Sequence, residues 1–290
     1  MKPALLLLLG AAAASVSSAA TLTKDIVYGF AGGARLTLDA CVPDGPGPFP
    51  VAILVHGGGW SSGDKSGGKG SADISPWFGM LTKADFTWFS IDYRLAPAHR
   101  WPACRDDLAT AVLWVKAHAA EYKGDPSRIA LVGHSAGGHL VCLYGVTARG
   151  AARVQAIVAF APVTDLVADS VRRGGLSTSL QNLFGLPREL TRRSRAILAA
   201  ASPIAHVAPG DPPFLLVQGK ADRTVPYPQT LAFKARLDAA GVPCRLIAIP
   251  GGPHAFTGWS RLDPSYQGEV ADWLRAKLGG AGAGSACSPR

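Results

Sequence analysis

The stretch RIALVGHSAGGHL, residues 128–140, restricts the fold more than any other part of the chain. Arg128 to Val132 is β-branched and aliphatic, the pattern of a short buried strand. Ala136 to Thr147 reads as a helix. Between them lies Gly133-His134-Ser135-Ala136-Gly137, with one serine at the apex of a tight turn. Such a turn needs small flanking residues, and Gly133, Gly137 and Gly138 supply them. It lifts a hydroxyl out of a sheet edge and sets it at a helix N-terminus, where free N–H groups and the dipole favour a developing anion.

The rest of the chain alternates in the same way. Strand patterns fall at 26–30, 34–42, 50–55, 86–91, 129–132, 154–160, 213–217 and 245–249. Helical patterns fall at 104–119, 136–147, 228–240 and 267–278. Alternating strand and helix predicts an α/β fold, with an eight-stranded, mostly parallel sheet covered on both faces. Ligands of such sheets bind at the carboxyl ends of the strands. One domain over 21–280 is expected, with 164–210 inserted over the upper edge of the sheet as a small lid. The Gly/Ala/Ser-rich segment 281–290 reads as a disordered tail.

At the N-terminus Lys2 precedes an apolar run, Ala4 to Ala14, and a small-residue stretch ending Ser18-Ala19-Ala20. This predicts a signal peptide over 1–20, cleaved before Thr21, and a secreted or periplasmic protein. The run is too short to span a bilayer, so no stable membrane insertion is expected. Cys41, Cys104, Cys142, Cys244 and Cys287 are an odd set with no readable pairing, and their spacing matches no zinc site. Net charge is +9, partly from Arg172, Arg173, Arg188, Arg192, Arg193 and Arg195. No nucleic-acid-binding motif accompanies that cluster, so nucleic acid is not an expected partner.

A serine hydroxyl needs a base to take its proton. His254, in PGGPHAFTGW, sits in a loop between the last strand and the last helix; His206, within the insertion, is the other downstream imidazole near the C-terminal half. An orienting carboxylate is next required. Asp222, in LLVQGKADRTVP, follows a strand, as does Asp165 earlier in the chain. The order Ser135, Asp222, His254 is the one this architecture uses. LVHGGGW, 54–60, also follows a strand, and its glycines let backbone N–H groups approach a substrate. With the Ala136 N–H, the three glycines Gly57, Gly58 and Gly59 offer the donors of an oxyanion hole. Neither GxGxxG nor a Walker lysine is present for phosphate binding. Trp60 and Trp259 flank these loops and are candidates for a substrate platform.

HGGGW at 56–60, DYRLAP at 92–97, GHSAGG at 133–138, Asp222 and His254 together resemble the α/β-hydrolase superfamily. More narrowly, the chain is similar to the hormone-sensitive-lipase-type and the feruloyl/acetyl-esterase-like (BD-FAE-type) carboxylesterases. The resemblance covers roughly residues 24–280. It implies a serine esterase with Ser135 as nucleophile, His254 as base, Asp222 as its partner and Gly58, Gly59 and Ala136 as oxyanion-hole donors, acting on a small-molecule or polysaccharide-linked ester without cofactor or metal. It also implies that Asp92, Tyr93 and Arg94 brace the glycine loop. The large N-terminal cap of the hormone-sensitive-lipase branch has no counterpart before the first strand, so the covering must come from 164–210. A thin cover leaves an open site, which favours the branch acting on plant-polysaccharide esters. A related exopeptidase and a non-catalytic binding protein on the same scaffold are the competing expectations.

Overall fold

The computed structural model describes residues 20–67, 74–256 and 258–279. Residues 1–20, read as an export signal, lie outside this range apart from Ala20. Residues 281–290, read as a tail, lie wholly outside it.

The described elements follow in order: β1 (Thr21–Ala31), β2 (Ala34–Val42), β3 (Phe49–Val55), α1 (Pro76–Lys83), β4 (Thr87–Ile91), α2 (Ala103–His118), β5 (Gly124–His134) and α3 (Ala136–Thr147). The second half comprises β6 (Ala156–Phe160), α4 (Leu166–Arg172), α5 (Thr178–Phe184), α6 (Arg192–Ala200), β7 (Phe214–Gly219), α7 (Tyr227–Ala239), β8 (Cys244–Ile249), α8 (Trp259–Leu262) and α9 (Tyr266–Leu278). The strands form one eight-stranded sheet in the order β1-β2-β4-β3-β5-β6-β7-β8. β2 is antiparallel to both β1 and β4, and every other pair is parallel.

The central strands are apolar throughout because both faces are covered. Successive side chains point to opposite faces, and the core divides accordingly. Val51, Ile53, Val55, Ile129, Leu131, Ile157, Phe214 and Leu216 pack on one face with Leu108 and Val112 of α2, Leu140 of α3 and Phe233 of α7. Ala52, Leu54, Ala130, Val132, Val158, Leu215 and Val217 pack on the other with Trp77 of α1 and Val270 and Leu274 of α9. Burying a side chain of this size stabilises the fold by roughly 1.5–3 kcal/mol. A one-residue slip of β3 or β5 would therefore exchange both faces at once.

β1 begins at Thr21, five residues before the expected start. Its polar first half is exposed and carries no apolar pattern; backbone pairing with β2, through irregular register, is what makes it a strand. α1 has no counterpart among the helical patterns of the sequence; a Pro at its first turn and buried Trp77 and Leu81 define it. Residues 164–210 fold as α4, α5 and α6, each starting at a side-chain cap: Asp165 to the Ala168 N–H, Ser177 to the Leu180 N–H and Thr191 to the Ser194 N–H.

The register sets the site. Val55, the last residue of β3, is level with Gly133 of β5, and His134 is level with Phe160 of β6. The loop after β3 and the turn after β5 thus emerge side by side.

Candidate active site

Ser135 has φ 53° and ψ −114°, a backbone conformation sparsely populated for a residue with a Cβ. It is held there by its neighbours. Its N–H donates to the Phe160 carbonyl at 2.9 Å, and its own carbonyl accepts from His139 N–H at 2.8 Å. A Cβ at Gly137 would overlap the carbonyl oxygens of Val55 and His56. Only glycine lets the first turn of α3 lie against the end of β3.

His254 lies in the loop after β8. Its Nε2 is 2.9 Å from the Ser135 Oγ, and its Nδ1 is 2.7 Å from the Asp222 Oδ2. Asp222 follows β7 and is held on both oxygens. Oδ1 accepts from the N–H groups of Thr224 (2.8 Å) and Val225 (2.9 Å). Oδ2 also accepts from Gln218 Nε2 at 2.9 Å. Gln218 is positioned in turn by the Thr230 hydroxyl, which donates to its Oε1 at 2.8 Å. Burial pushes the Asp222 carboxyl up. The hydrogen bond and positive field of His254, with the Val225 and Thr224 N–H groups, outweigh it and leave the carboxyl below its ordinary value.

The structure thus brings Ser135, His254 and Asp222 together and leaves the two alternatives elsewhere. Asp165 is spent as the cap of α4. His206 is bonded through Nε2 to the Ala200 carbonyl.

His134 points beneath the His254 loop. Its Nε2 donates to the His254 carbonyl at 3.0 Å, and its ring packs on Phe256 at 4.2 Å. Burial, and then the nearby His254, pull its pKa down to about 3. Its Nδ1 has no hydrogen-bond partner among the described residues. His134 is therefore a neutral strut that fixes where His254 stands.

The glycine loop is braced from β4. The Tyr93 hydroxyl donates to the His56 carbonyl at 3.0 Å, and its ring stacks on His56 at 4.2 Å. Asp92 accepts from the Lys65 N–H at 2.7 Å. Arg94 forms a bidentate pair with Asp107 of α2. At Gly58, φ is +105° and a Cβ would overlap the Ser62 carbonyl. Gly58 and Gly59 border Ser135 in a cavity of about 660 Å³, which also reaches Ser62, Arg223, Thr224 and His254. Gly59 and Ala136 border it in a second cavity of about 80 Å³.

The two expected platform tryptophans have different fates. Trp60 lines the smaller cavity but is buried, with Nε1 donating to His139 Nδ1 at 3.3 Å. His139 Nε2 donates onward to the Ala201 carbonyl at 2.8 Å, tying the glycine loop to the end of α6. Trp259 is no platform: it is fully buried, and its Nε1 donates to the Pro253 carbonyl at 3.0 Å. Its indole packs with Phe256 and Tyr266 as a footing for the His254 loop.

The insertion supplies walls that the sequence did not mark. Ser179 lines both cavities, and Val163, Leu180, Asp169 and Arg173 line the smaller one. Ser177 and Thr191 caps signal helices there, but no local pattern says which helix faces Ser135. Among the described residues, no three His, Cys, Asp or Glu side chains gather in a way that could hold a metal ion. No helix among them is long and apolar enough to cross a membrane. Cys41, Cys104, Cys142 and Cys244 are free thiols.

This sheet order, with a strained serine turn after β5 and its acid and imidazole on loops after β7 and β8, is the α/β-hydrolase fold. Within it, the model of the BD-FAE family matches residues 38–237, and the chain belongs to that family. The probable carboxylic ester hydrolase LipM of Mycobacterium tuberculosis is 32% identical over 223 residues, 72% of this chain and 50% of LipM. Esterase LipC of the same organism is 33% identical over 236 residues, 77% of this chain and 56% of LipC. The chain thus spans about half the length of these curated relatives. Among solved structures, a truncated carbohydrate esterase from gut microbiota superposes with a TM-score of 0.75 at 25% identity, covering 89% of this chain and 96% of that one. A thermophilic esterase from Thermogutta terrifontis gives 0.70 at 26% identity, covering 92% and 95%.

Proposed function

We propose that the protein is a serine carboxylesterase that hydrolyses short-chain acyl or aryl esters through an acyl-enzyme. The observation that carries this is the single imidazole of His254 within hydrogen-bond distance of both the Ser135 hydroxyl and the Asp222 carboxylate. Relatives named as carboxylic ester hydrolases and esterases support it.

The chemistry follows from that geometry. His254 Nε2 takes the Ser135 proton as Oγ attacks the ester carbonyl. The oxyanion is received by the N–H groups of Gly58, Gly59 and Ala136. Each such donor is worth about 10²–10³ in rate. His254, now imidazolium and steadied by Asp222, gives its proton to the leaving alcohol. Water then adds to the acyl-enzyme with His254 as base, and the acid departs.

The substrate is a small-molecule or polysaccharide-linked ester, with acetyl or feruloyl esters of plant polysaccharides as the natural class. The likeness to a carbohydrate esterase supports the sugar side of this reading. The protein is exported, with its mature chain starting at Thr21; N-terminal sequencing of secreted material tests that point.

The decisive test of the activity is Ser135→Ala. Hydrolysis of p-nitrophenyl acetate and labelling by a fluorophosphonate should both vanish while circular dichroism is unchanged. Full turnover in that variant would refute the assignment.

A further inference from the structure

Arg223 lines the cavity at Ser135 together with Thr224 and His254. Among the described residues this guanidinium has no ion-pair partner. We infer that the sugar carrying the ester bears a carboxylate, so that the polysaccharide substrate is an acidic one, a polyuronate, received by Arg223 and the arginines gathered beside it. This rests on the proposed serine-esterase reading and adds the charge of its substrate.

The place of Arg223 follows from the acid beside it. Asp222 Oδ1 accepts from the N–H groups of Thr224 and Val225, so the chain turns tightly around the carboxylate. Residue 223 stands at the apex of that turn, and its side chain is exposed. The turn is made by backbone N–H groups and the Asp222 carboxylate; neither requires an arginine at the apex. A charge set at the lip of a catalytic cavity acts instead on what enters it.

The groups around that turn have the same sign. Arg173 donates to the Thr224 carbonyl at 2.7 Å, and Arg172 donates to the same oxygen at 3.3 Å. Arg188 donates to the Arg173 carbonyl at 3.1 Å. Asp169 pairs with both Arg172 and Arg173, and one carboxylate cannot neutralise two guanidinium groups. The excess holds over the whole covering: segment 165–195, with Arg223, has seven arginines against Asp165, Asp169 and Glu189. Asp165 is turned to the Ala168 N–H. A guanidinium offers paired N–H groups that match a carboxylate, which the hydroxyls of a neutral sugar do not present. Hydrolysis leaves that carboxylate untouched. Only the acyl C–O bond breaks, water supplies the new oxygen of the acid, and the sugar regains its hydroxyl.

Screening gives the inference a second handle. The screening length is about 30 Å at about 10 mM salt and about 3 Å at about 1 M. Attraction between exposed arginines and an acidic sugar is therefore present at the first and lost at the second.

The experiment compares two sugars on the full chain, O-acetylated methyl galacturonoside and its C6 methyl ester, which differ in one charge and little in shape. Acetate release gives kcat/KM for each. At about 10 mM salt the wild type should favour the free acid by about tenfold, and at about 1 M the ratio should approach one. Arg223→Gln should lower the low-salt ratio by about fivefold; Arg223 is exposed and makes no ion pair, so the variant should fold, which circular dichroism checks. A wild-type ratio of one or less at low salt overturns the inference. A ratio unchanged in folded Arg223→Gln overturns it as well. Binding to phosphatidylserine vesicles together with equal rates on the two sugars would assign the arginines to a membrane surface, and also overturns it. A protein that takes the fluorophosphonate on Ser135 yet shows no preference loses only this inference. A protein that neither takes the probe nor releases acetate from either sugar loses the serine mechanism, and the charge assignment with it.

Discussion

His254 Nδ1 stands 2.7 Å from Asp222 Oδ2, and Asp222 receives hydrogen bonds only from donors: this imidazole, Gln218 Nε2 and the N–H groups of Thr224 and Val225. A carboxylate satisfies all four, since it only accepts. The arrangement fixes the His254 tautomer, with the proton on Nδ1 and a lone pair on Nε2 facing Ser135.

Asp222→Asn breaks that pattern, because an amide must turn its NH₂ toward one pair of donors. If it faces His254, the imidazole flips its tautomer and loses the lone pair that accepts the Ser135 proton. We expect kcat on p-nitrophenyl acetate to fall on the order of 10³–10⁴-fold with little change in thermal midpoint. A loss below tenfold would show that Asp222 does not orient the imidazole.

Acid should weaken the fold. Burial pulls His134 to about pKa 3 and His139 to about 4, from an ordinary 6.5. From pH 6.5 down to those values the unfolded chain binds protons that the folded chain refuses, so stability falls as pH falls. Asp222 acts in the same sense lower down: its folded pKa lies below the ordinary 3.8, and its contribution is lost as pH drops through it. Thermal midpoints at pH 7.5 and 4.5 check this. The drop should be smaller in His139→Gln, which removes one of the titrating groups; an equal drop would dismiss His139 as a contributor.

Gly137→Ala places a Cβ against the Val55 and His56 carbonyl oxygens, which belong to backbone and cannot swing aside. The first turn of α3 must shift away from the glycine loop. Stability should fall by about 3 kcal/mol or more, and the ester turnover that survives should be lower by at least a hundredfold. Chemical denaturation and a p-nitrophenyl acetate assay read both. Wild-type values in both would mean that α3 is not packed as described.

Tyr93→Phe removes the hydroxyl that donates to the buried His56 carbonyl at 3.0 Å while keeping the stacked ring. An orphaned buried acceptor costs about 1–3 kcal/mol. Because that carbonyl opens the glycine loop, kcat should fall by about tenfold with KM nearly unchanged, as expected when a transition-state contact loosens. A rise in KM alone would assign Tyr93 to substrate binding instead.

The sequence by itself determined the strand and helix types, the parallel sheet and the three chemical groups of the site. Each is written in local chemistry: unbroken apolar runs in β3 and β5, small residues around Ser135, and a post-strand Asp222 and His254. It also marked the glycine loop, since three adjacent glycines after a strand permit a backbone path closed to other residues. Tertiary structure alone decided between residues of like kind. Asp165 and Asp222 both follow strands, but one caps α4 and the other meets His254. Trp60 and Trp259 both adjoin catalytic loops, but only Trp60 reaches a cavity at Ser135. His134 carries no local signal beyond its place in the turn, yet it props the loop of His254 across 120 residues of chain. The same holds for the walls drawn from α4 and α5. Which face of a short inserted helix meets a distant serine depends on long-range packing, and no spacing within the segment encodes it.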